Sequence, residues 1–363
     1  GIPRRTEIRE ELEEIKVDTT RMIPKEQVVV VVTNEGYIKK VPQRSYNTAK
    51  EEETTLKEND YVTGLYNITT TDTLLLFTNL GNYLYLPVYD IPEVKWKELG
   101  KHISNIISLS PEEKVINSIP VYNFDEERYI TSFTKNGMVK RTLLNEFKVQ
   151  RYSKPIKMMN LKGTDEVISV TDSTLSNVFI ATSNGYGLWY DINEVPVVGI
   201  KAAGVKAISL KDDYVVSGIL FDVASEYLTI LTDKGTAKRM RLTELEKTSR
   251  AKRGILLMKT IKSNPSKIIK AYIINSKNQI GIVSDDYSKI VKLTEISIMD
   301  RYSNGSYIIK DRIIDSYIVS ELISKEDKEE VTEEIVVEKK QISLSEIDDK
   351  LSNIDSIIKD INE

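Results

Sequence analysis

Thr232 to Leu245 reads TDKGTAKRMRLTEL: a polar turn ending on Gly235, a strand carrying Lys238, Arg239 and Arg241, and a stop at Glu244. The frame recurs at Thr33 (TNEGYIKKVP), Thr78 (TNLGNYLYLP), Thr134 (TKNGMVKRTL), Thr182 (TSNGYGLWYD) and, degraded, Ser284 (SDDYSKIVKL). The turn glycines fall at Gly36, Gly81, Gly137, Gly185 and Gly235, with Tyr287 in the sixth slot, a period of roughly 50 residues, which is the range of propeller-like blades.

Each copy has the same inner order. An apolar strand (VVVVV, TLLLF, YITSF, NVFIA, YLTIL, QIGIV) enters the turn and a second strand leaves it, a hairpin signature because Gly supplies positive φ at low cost. A variable loop follows. Then a Leu-Lys-x-x-Asp kind of turn (Leu56 to Asp60, Leu161 to Asp165, Leu210 to Asp213) leads into a further strand (YVTGLY, KVINSI, EVISVT, YVVSGI). About four short strands per unit with almost no helical periodicity predict an all-β fold of blades around a pseudo-axis. Gln27 to Val32, nearly pure valine, predicts a strand buried on both faces.

The chain has 363 residues, no cysteine, 40% hydrophobic and 29% charged residues, enough to bury a sizeable core. Disulfide and thiol chemistry are excluded. Val28 to Val32, the longest strongly apolar run, is far short of the ~18 residues a membrane helix needs, and no signal peptide precedes it; a cytoplasmic protein is expected. The net charge of −4 is uneven: from Lys325 to the end there are 13 Asp/Glu against 6 Lys/Arg, leaving +3 for residues 1–324.

The ends differ from the middle. Gly1-Ile2-Pro3, in place of an initiator Met, reads as a cleavage or expression remnant. Thr6 to Ile15 predicts a short capped helix, so residues 1–24 read as a junction from something upstream and 25–324 as the repeat domain. Residues 325–363 read as an acidic tail. Within it Ile347, Leu351, Ile354, Ile358 and Ile361 predict one amphipathic helix behind the capping box at Ser343 to Glu346.

The variable loops carry basic residues that β-packing does not require: Arg44; Lys95, Lys97 and Lys101; Arg151, Lys154 and Lys157; Lys201 and Lys206; Arg250, Lys252 and Arg253; and Arg301. Repeated units put equivalent loops at equivalent angles, so these cations should form a belt along one edge. A curved belt of charge suits a bent polyphosphate. SRAKRG (Ser249 to Gly254) is the strongest local signal, because it joins cations, which release counterions from DNA, with a glycine that lets backbone amides approach a phosphate. Lys39, Lys40, Lys140, Arg141, Lys238 and Arg239 follow the turns on strands and rank second. Alternation sends neighbours to opposite faces, and an edge-strand role competes with DNA contact there. Trp96 and Trp189 read as packing anchors. His102, the one histidine, reads as a loop or rim residue and cannot form a metal cluster. Asp212-Asp213 and Asp285-Asp286 read as turn formers.

With these pieces laid out, the sequence resembles the C-terminal domain of the A subunit of bacterial type IIA topoisomerases, from about Arg4 to Val319. The resemblance is carried by MIPKEQVVVVVTNEGYIKK (Met22 to Lys40), VKWKELGKHIS (Val94 to Ser104), EVPVVGIKAAGVKAISLK (Glu194 to Lys211), TSRAKRGI (Thr248 to Ile255) and RYSNGSYI (Arg301 to Ile308), which look like topoisomerase IV of Gram-positive type. It implies a six-bladed β-pinwheel, a propeller relative whose blades exchange strands, with double-stranded DNA bent around a basic rim. It also implies a non-catalytic part of a larger enzyme of the bacterial cytoplasm and nucleoid. The partners would be a cleavage core lying upstream in the same polypeptide, together with an ATPase B subunit. ATP and Mg²⁺ would serve the whole enzyme, with no cofactor in this part.

The sister enzyme gyrase carries a Gln-Arg/Lys-Arg-Gly-Gly-Arg/Lys-Gly box in its first blade. The corresponding loop here, QRSYNTAKEEE (Gln43 to Glu53), lacks the paired glycines and turns acidic, which argues for topoisomerase IV and against tight wrapping. A gyrase wrapping domain without its box and a protein-docking propeller are the alternatives. Arg151-Tyr152 looks like the Arg-Tyr pair of topoisomerase cleavage sites, but Arg301-Tyr302 repeats it in an equivalent loop, which favours a repeat feature. No catalytic constellation stands out. The degraded turn at Tyr287 leaves ring closure open.

Overall fold

The computed structural model describes residues 23–259 and 261–327; the helices expected at Thr6 to Ile15 and Ile347 to Ile361, and most of the acidic tail, lie outside them. Six antiparallel sheets stand as blades around an axis. Blade 1 runs outward as Val62–Thr69, Gln27–Thr33, Tyr37–Pro42 and Lys101–His102. Blade 2 runs as Val115–Val121, Thr73–Thr78, Asn82–Pro87 and Ile156–Lys157, and blade 3 as Val167–Thr171, Tyr129–Thr134, Met138–Leu143 and Val205–Lys206. Blade 4 has Val215–Phe221, Asn177–Thr182, Tyr186–Asp191 and Ile255–Leu256; blade 5 has Ile268–Tyr272, Tyr227–Thr232, Thr236–Arg241 and Ser306–Tyr307. Blade 6 has three strands, Ile313–Ile318, Gln279–Ser284 and Ser288–Lys292. The short outer strand of each of blades 1 to 5 comes from the next unit along the chain. This is the strand exchange of a pinwheel.

The Thr-x-x-Gly frame has a local cause. Gly137 N–H donates to Thr134 O at 3.1 Å, Thr134 Oγ1 accepts from Met138 N–H at 3.0 Å, and Gly137 takes φ +83°. Thr33, Thr78 and Thr182 make the same side-chain bond to the residue after the glycine. The Leu-Lys-x-x-Asp turn joins this hairpin to the inner strand, because Asp165 Oδ1 accepts from Asn136 and Glu166 N–H at 2.8 Å each. Asp60 and Asp213 repeat the arrangement.

Hydrophobic cores lie between consecutive blades. Val30 and Leu76 meet between blades 1 and 2, Phe77 and Ile130 between 2 and 3, Val139 and Ile180 between 3 and 4, Phe179 and Ile230 between 4 and 5, and Leu231 and Ile282 between 5 and 6. The seam from blade 6 back to blade 1 is built differently. Tyr61 stacks on Tyr317 at 3.7 Å and donates to Asp315 at 2.9 Å, while Ile323 bonds with its own N–H and C=O to Leu65 and Asn67 of the inner strand of blade 1. Blade 1's other face is covered by Tyr46, Trp96 and Leu322. Ring closure, left open by the degraded sixth turn, is therefore met by a strap beyond the last blade.

One local expectation changes. Gln43–Ala49 is an α-helix rather than a loop, anchored by buried Tyr46 edge-on to Trp96 at 5.1 Å. In the equivalent place blades 2 to 6 have a single 3-10 turn.

The unequal seams make a prediction. Leu76→Ala, at a fully buried position between blades 1 and 2, should cost about 2–5 kcal/mol. Leu322→Ala, at a partly buried position of the strap, should cost about 1 kcal/mol, within the usual range for a single change. Denaturant midpoints of the two variants check the order.

Candidate nucleic-acid interface

Five rim loops run along the outer edges of blades 1 to 5. In blades 1, 3, 4 and 5 the loop begins by bridging the middle of the blade's second hairpin strand, as Glu93 does at Lys40, Val197 at Arg141, Lys247 at Trp189 and Ile298 at Arg239. All five loops end in the two-residue outer strand. In blades 1, 3, 4 and 5 a left-handed glycine pressed against the blade makes the turn back: Gly204 has φ +82°, and a Cβ on it would lie 2.5 Å from Val139 O. Gly100, Gly254 and Gly305 hold the same place, and Pro155 stands there in blade 2.

The loops of blades 1, 3 and 5 are held from inside by an ammonium group. Lys140 Nζ donates to Met158 O and Ile200 O at 2.6 Å, with Gly199 O and Ala202 O at 3.2 and 3.3 Å. Lys238 Nζ faces Leu257 O, Ser303 O, Arg301 O and Asp300 O at 2.6 to 3.0 Å. Lys39 Nζ donates to Trp96 O and Glu98 O at 2.6 Å and to Thr54 Oγ1 at 2.5 Å. In blades 2 and 4 the same slot holds Leu84 and Leu188, so lysine clamps alternate with core leucines along blades 1 to 5. Burial pushes all three lysines down from 10.5 to about 8.

The neighbouring strand residue points to the opposite face and staples the next blade. Lys40 Nζ donates to Tyr89 O at 2.8 Å, Arg141 Nε to Val195 O at 3.0 Å, and Arg239 Nε to Ile296 O at 2.8 Å. The loop's N–H side is capped by a glutamate from the 3-10 turn: Glu146 accepts from Ile200 N–H, Glu194 from Arg250 N–H and Glu244 from Arg301 N–H, at 2.7 to 2.8 Å.

These contacts correct the second-rank DNA assignment. Lys39, Lys40, Lys140, Lys238 and Arg239 are buried and Arg141 is half-buried, and each donates to at least one backbone carbonyl. The physical reason is the rim loop itself, which arrives from the following unit and roofs the strand. Sequence reasoning missed that role and the Glu caps, although Glu146, Glu194 and Glu244 recur at one offset from the turn glycine.

The first-rank residues divide. Lys95, Lys97, Lys101, Arg151, Lys154, Lys157, Lys201, Lys206, Lys252 and Arg253 are exposed on or beside the rim loops of blades 1 to 4. Lys97 is paired with Glu52 at 2.5 Å, because the acidic stretch after the helix lies against the blade 1 loop: Trp96 Nε1 donates to Glu52 O at 2.7 Å and Thr55 Oγ1 to Lys97 O at 2.5 Å. Arg253 lies 4.2 Å over the Tyr186 ring. Arg250 and Arg301 are half-buried and bind backbone, Arg250 Nε to Glu194 O at 2.9 Å and Arg301 Nη1 to Leu256 O at 3.2 Å. Arg44 is exposed on the helix that replaces a 3-10 turn, so it belongs to no rim loop, and the expected six equivalent loops become five. Trp96 is buried and Trp189 packs on Phe221 at 5.4 Å, as packing anchors should. His102 lies in the outer strand, bonded to Glu35 O at 2.9 Å.

Known proteins resemble the chain in the same segments. The family model described as DNA gyrase C-terminal domain, beta-propeller, matches residues 27–50, 72–121, 128–171, 176–221 and 226–275, which omits the degraded sixth hairpin. The A subunit of DNA topoisomerase 4 from Bacillus subtilis (strain 168) is 42% identical over 311 residues, 85% of this chain and 38% of that protein. The chain thus spans well under half the length of this relative. The crystal structure of the C-terminal domain of DNA topoisomerase IV is 40% identical with a TM-score of 0.79, covering 82% of this chain and 94% of that one. The DNA gyrase A C-terminal domain, at 18% identity and a TM-score of 0.61 over 81% of this chain and 100% of that one, shares the fold.

The clamps can be tested by removing their donors. Lys140→Met leaves several carbonyls without a donor and should cost about 2–4 kcal/mol. Lys154→Met on the exposed rim should stay within about 0.5 kcal/mol; chemical denaturation compares them. Between pH 8 and 10.5 the unfolded chain binds more protons at Lys39, Lys140 and Lys238 than the folded one, so their contribution to stability should rise with pH across that window. Side-chain NMR titration should find three lysines with midpoints near 8; midpoints at the ordinary lysine value for all three would contradict the burial.

Proposed function

The chain belongs to the family of DNA gyrase C-terminal β-propeller domains, and from that premise we propose that it is a non-catalytic module that binds and bends duplex DNA on its rim. Its role is to present the transported segment to a topoisomerase IV cleavage core during decatenation and supercoil relaxation. The core tyrosine and the ATPase B subunit do the chemistry elsewhere in that enzyme, with ATP and Mg²⁺ serving the whole. The observation that carries the reading is the repetition of exposed cations at one place on blades 1 to 4, on loops held by Glu caps in blades 3 and 4 and by buried lysines in blades 1 and 3.

Stiffness matters to affinity. A preformed loop loses little side-chain and backbone freedom when a phosphate arrives, so more of the electrostatic gain appears as binding. Among the described residues the rim offers strand edges and loops but no recognition helix, so it suits backbone contact and DNA shape more than base edges. At blade 1 the pairing of Lys97 with Glu52 removes charge at the rim. That supports a gentle bend and the topoisomerase IV reading over tight gyrase-like wrapping.

Lys252→Glu combined with Arg253→Glu should weaken duplex binding and reduce bending in a fluorescence-transfer assay on end-labelled DNA. Affinity of the unchanged protein should fall with salt by about 0.9 log unit per log unit for each phosphate neutralised. An affinity indifferent to salt, or bending untouched by the double charge reversal, would remove the proposal and favour a protein-docking propeller.

A further inference from the structure

Among the described residues, blade 6 has three strands where the other blades have four. In blades 1, 3, 4 and 5 the strand residue paired with the position three places before the turn Thr is bridged by a rim loop, and Lys40, Arg141, Trp189 and Arg239 are there buried or half-buried, as is Tyr85 at the same register position of blade 2. Its counterpart in blade 6, Ile290, is 55% exposed. The strand that carries it, Ser288–Lys292, is the outer edge of its sheet, and among the described residues no strand pairs beyond it. Its outward N–H and C=O groups therefore face the place where every other blade receives a strand from the unit that follows. An open edge of this kind is a template for adding an extended segment.

We propose that the vacant outer place of blade 6 is filled by this chain's own Glu334-Ile335-Val336-Val337-Glu338, paired with Ser288–Lys292. Three observations favour this occupant. Ile335 to Val337 is the one run of three consecutive β-branched apolar residues among the residues outside the structure, and such residues prefer strands. Its flanking Glu333, Glu334 and Glu338 complement Lys289 and Lys292, both exposed on the edge. The reach is ample. Eleven residues separate Ile323, held beside the inner strand of blade 1, from Ile335, an extended span of roughly 36 Å. Passing from the inner strand of blade 6 to the place beyond its third strand takes roughly 14 Å, three spacings of about 4.8 Å. A second copy of this strand fits less well, because edge-to-edge pairing would crowd two copies' Lys289 and Lys292 onto one short ladder.

The chain has no cysteine, so a two-cysteine variant reports the contact directly. Ile290→Cys with Val336→Cys should form an intramolecular disulfide under mild oxidation, roughly tenfold faster than a control pair of Tyr214→Cys with Val336→Cys, as expected for a held segment against a tethered one. Equal rates for the two pairs would overturn the proposal, and a disulfide-linked dimer through Ile290→Cys would replace it with a second copy. In the unsubstituted protein, the amides of Ile290 and Lys292 should exchange about tenfold faster when residues 328–363 are removed. Exchange unchanged by the truncation would equally overturn it.

Discussion

An ammonium group inside a protein is tolerated only when its donors are met, and three such groups organise this one. Lys39, Lys140 and Lys238 sit under the rim loops of blades 1, 3 and 5 and collect the carbonyls that those loops turn inward. The loops bury some apolar side chains, such as Trp96 and, in part, Ile200, but much of what they turn toward the blade is backbone carbonyl. Charge-assisted hydrogen bonds help to hold them on the blade edge, and several acceptors at once offset part of the cost of removing a lysine from water, the remainder showing as the downward shift of all three. The result is a surface whose exposed charge is placed by its buried charge.

The same economy of parts explains the alternation around the ring. Where the slot is Leu84 or Leu188, the side chain joins the core shared with the preceding blade; where it is lysine, the loop's backbone is gathered around a point charge. Both solutions present cations outward, and both depend on a strand and loop donated by the following unit. Blade 6 has no following unit among the described residues, and Ile290 is left uncovered as a direct consequence. The seam to blade 1 is likewise made from what lies beyond the repeats, through Tyr61, Tyr317 and Ile323.

The blades were legible in the sequence because their causes are local. A Thr-x-x-Gly turn bonds to itself within five residues, and the Asp of Leu-Lys-x-x-Asp caps the turn beside it, so each copy announces its own hairpin. The fate of Lys140 was not legible, since alternation predicts which face a side chain takes but not that a loop some 60 residues later will roof that face. Arg44 misled for the opposite reason: QRSYNTA looked like one more basic loop, and only the burial of Tyr46 against Trp96 makes it a helix. The outward cations of the rim were found by their repetition. The Glu caps that fix the loops recur just as regularly, at Glu146, Glu194 and Glu244, but a glutamate beside a turn carries no sign of the distant amide it will cap.

Clamped loops on successive blade edges form, in this account, one continuous surface for the DNA backbone. Amide hydrogen exchange of the protein with and without a duplex long enough to follow the rim tests that claim most directly. The account predicts added protection in the loops at 95–101, 150–157, 199–206 and 249–254, with the 3-10 turns at Val88–Asp90 and Ile192–Glu194 unchanged. Protection concentrated on the hairpin-turn face around Gly81, Gly137 and Gly185, with the rim loops unaffected, would contradict it.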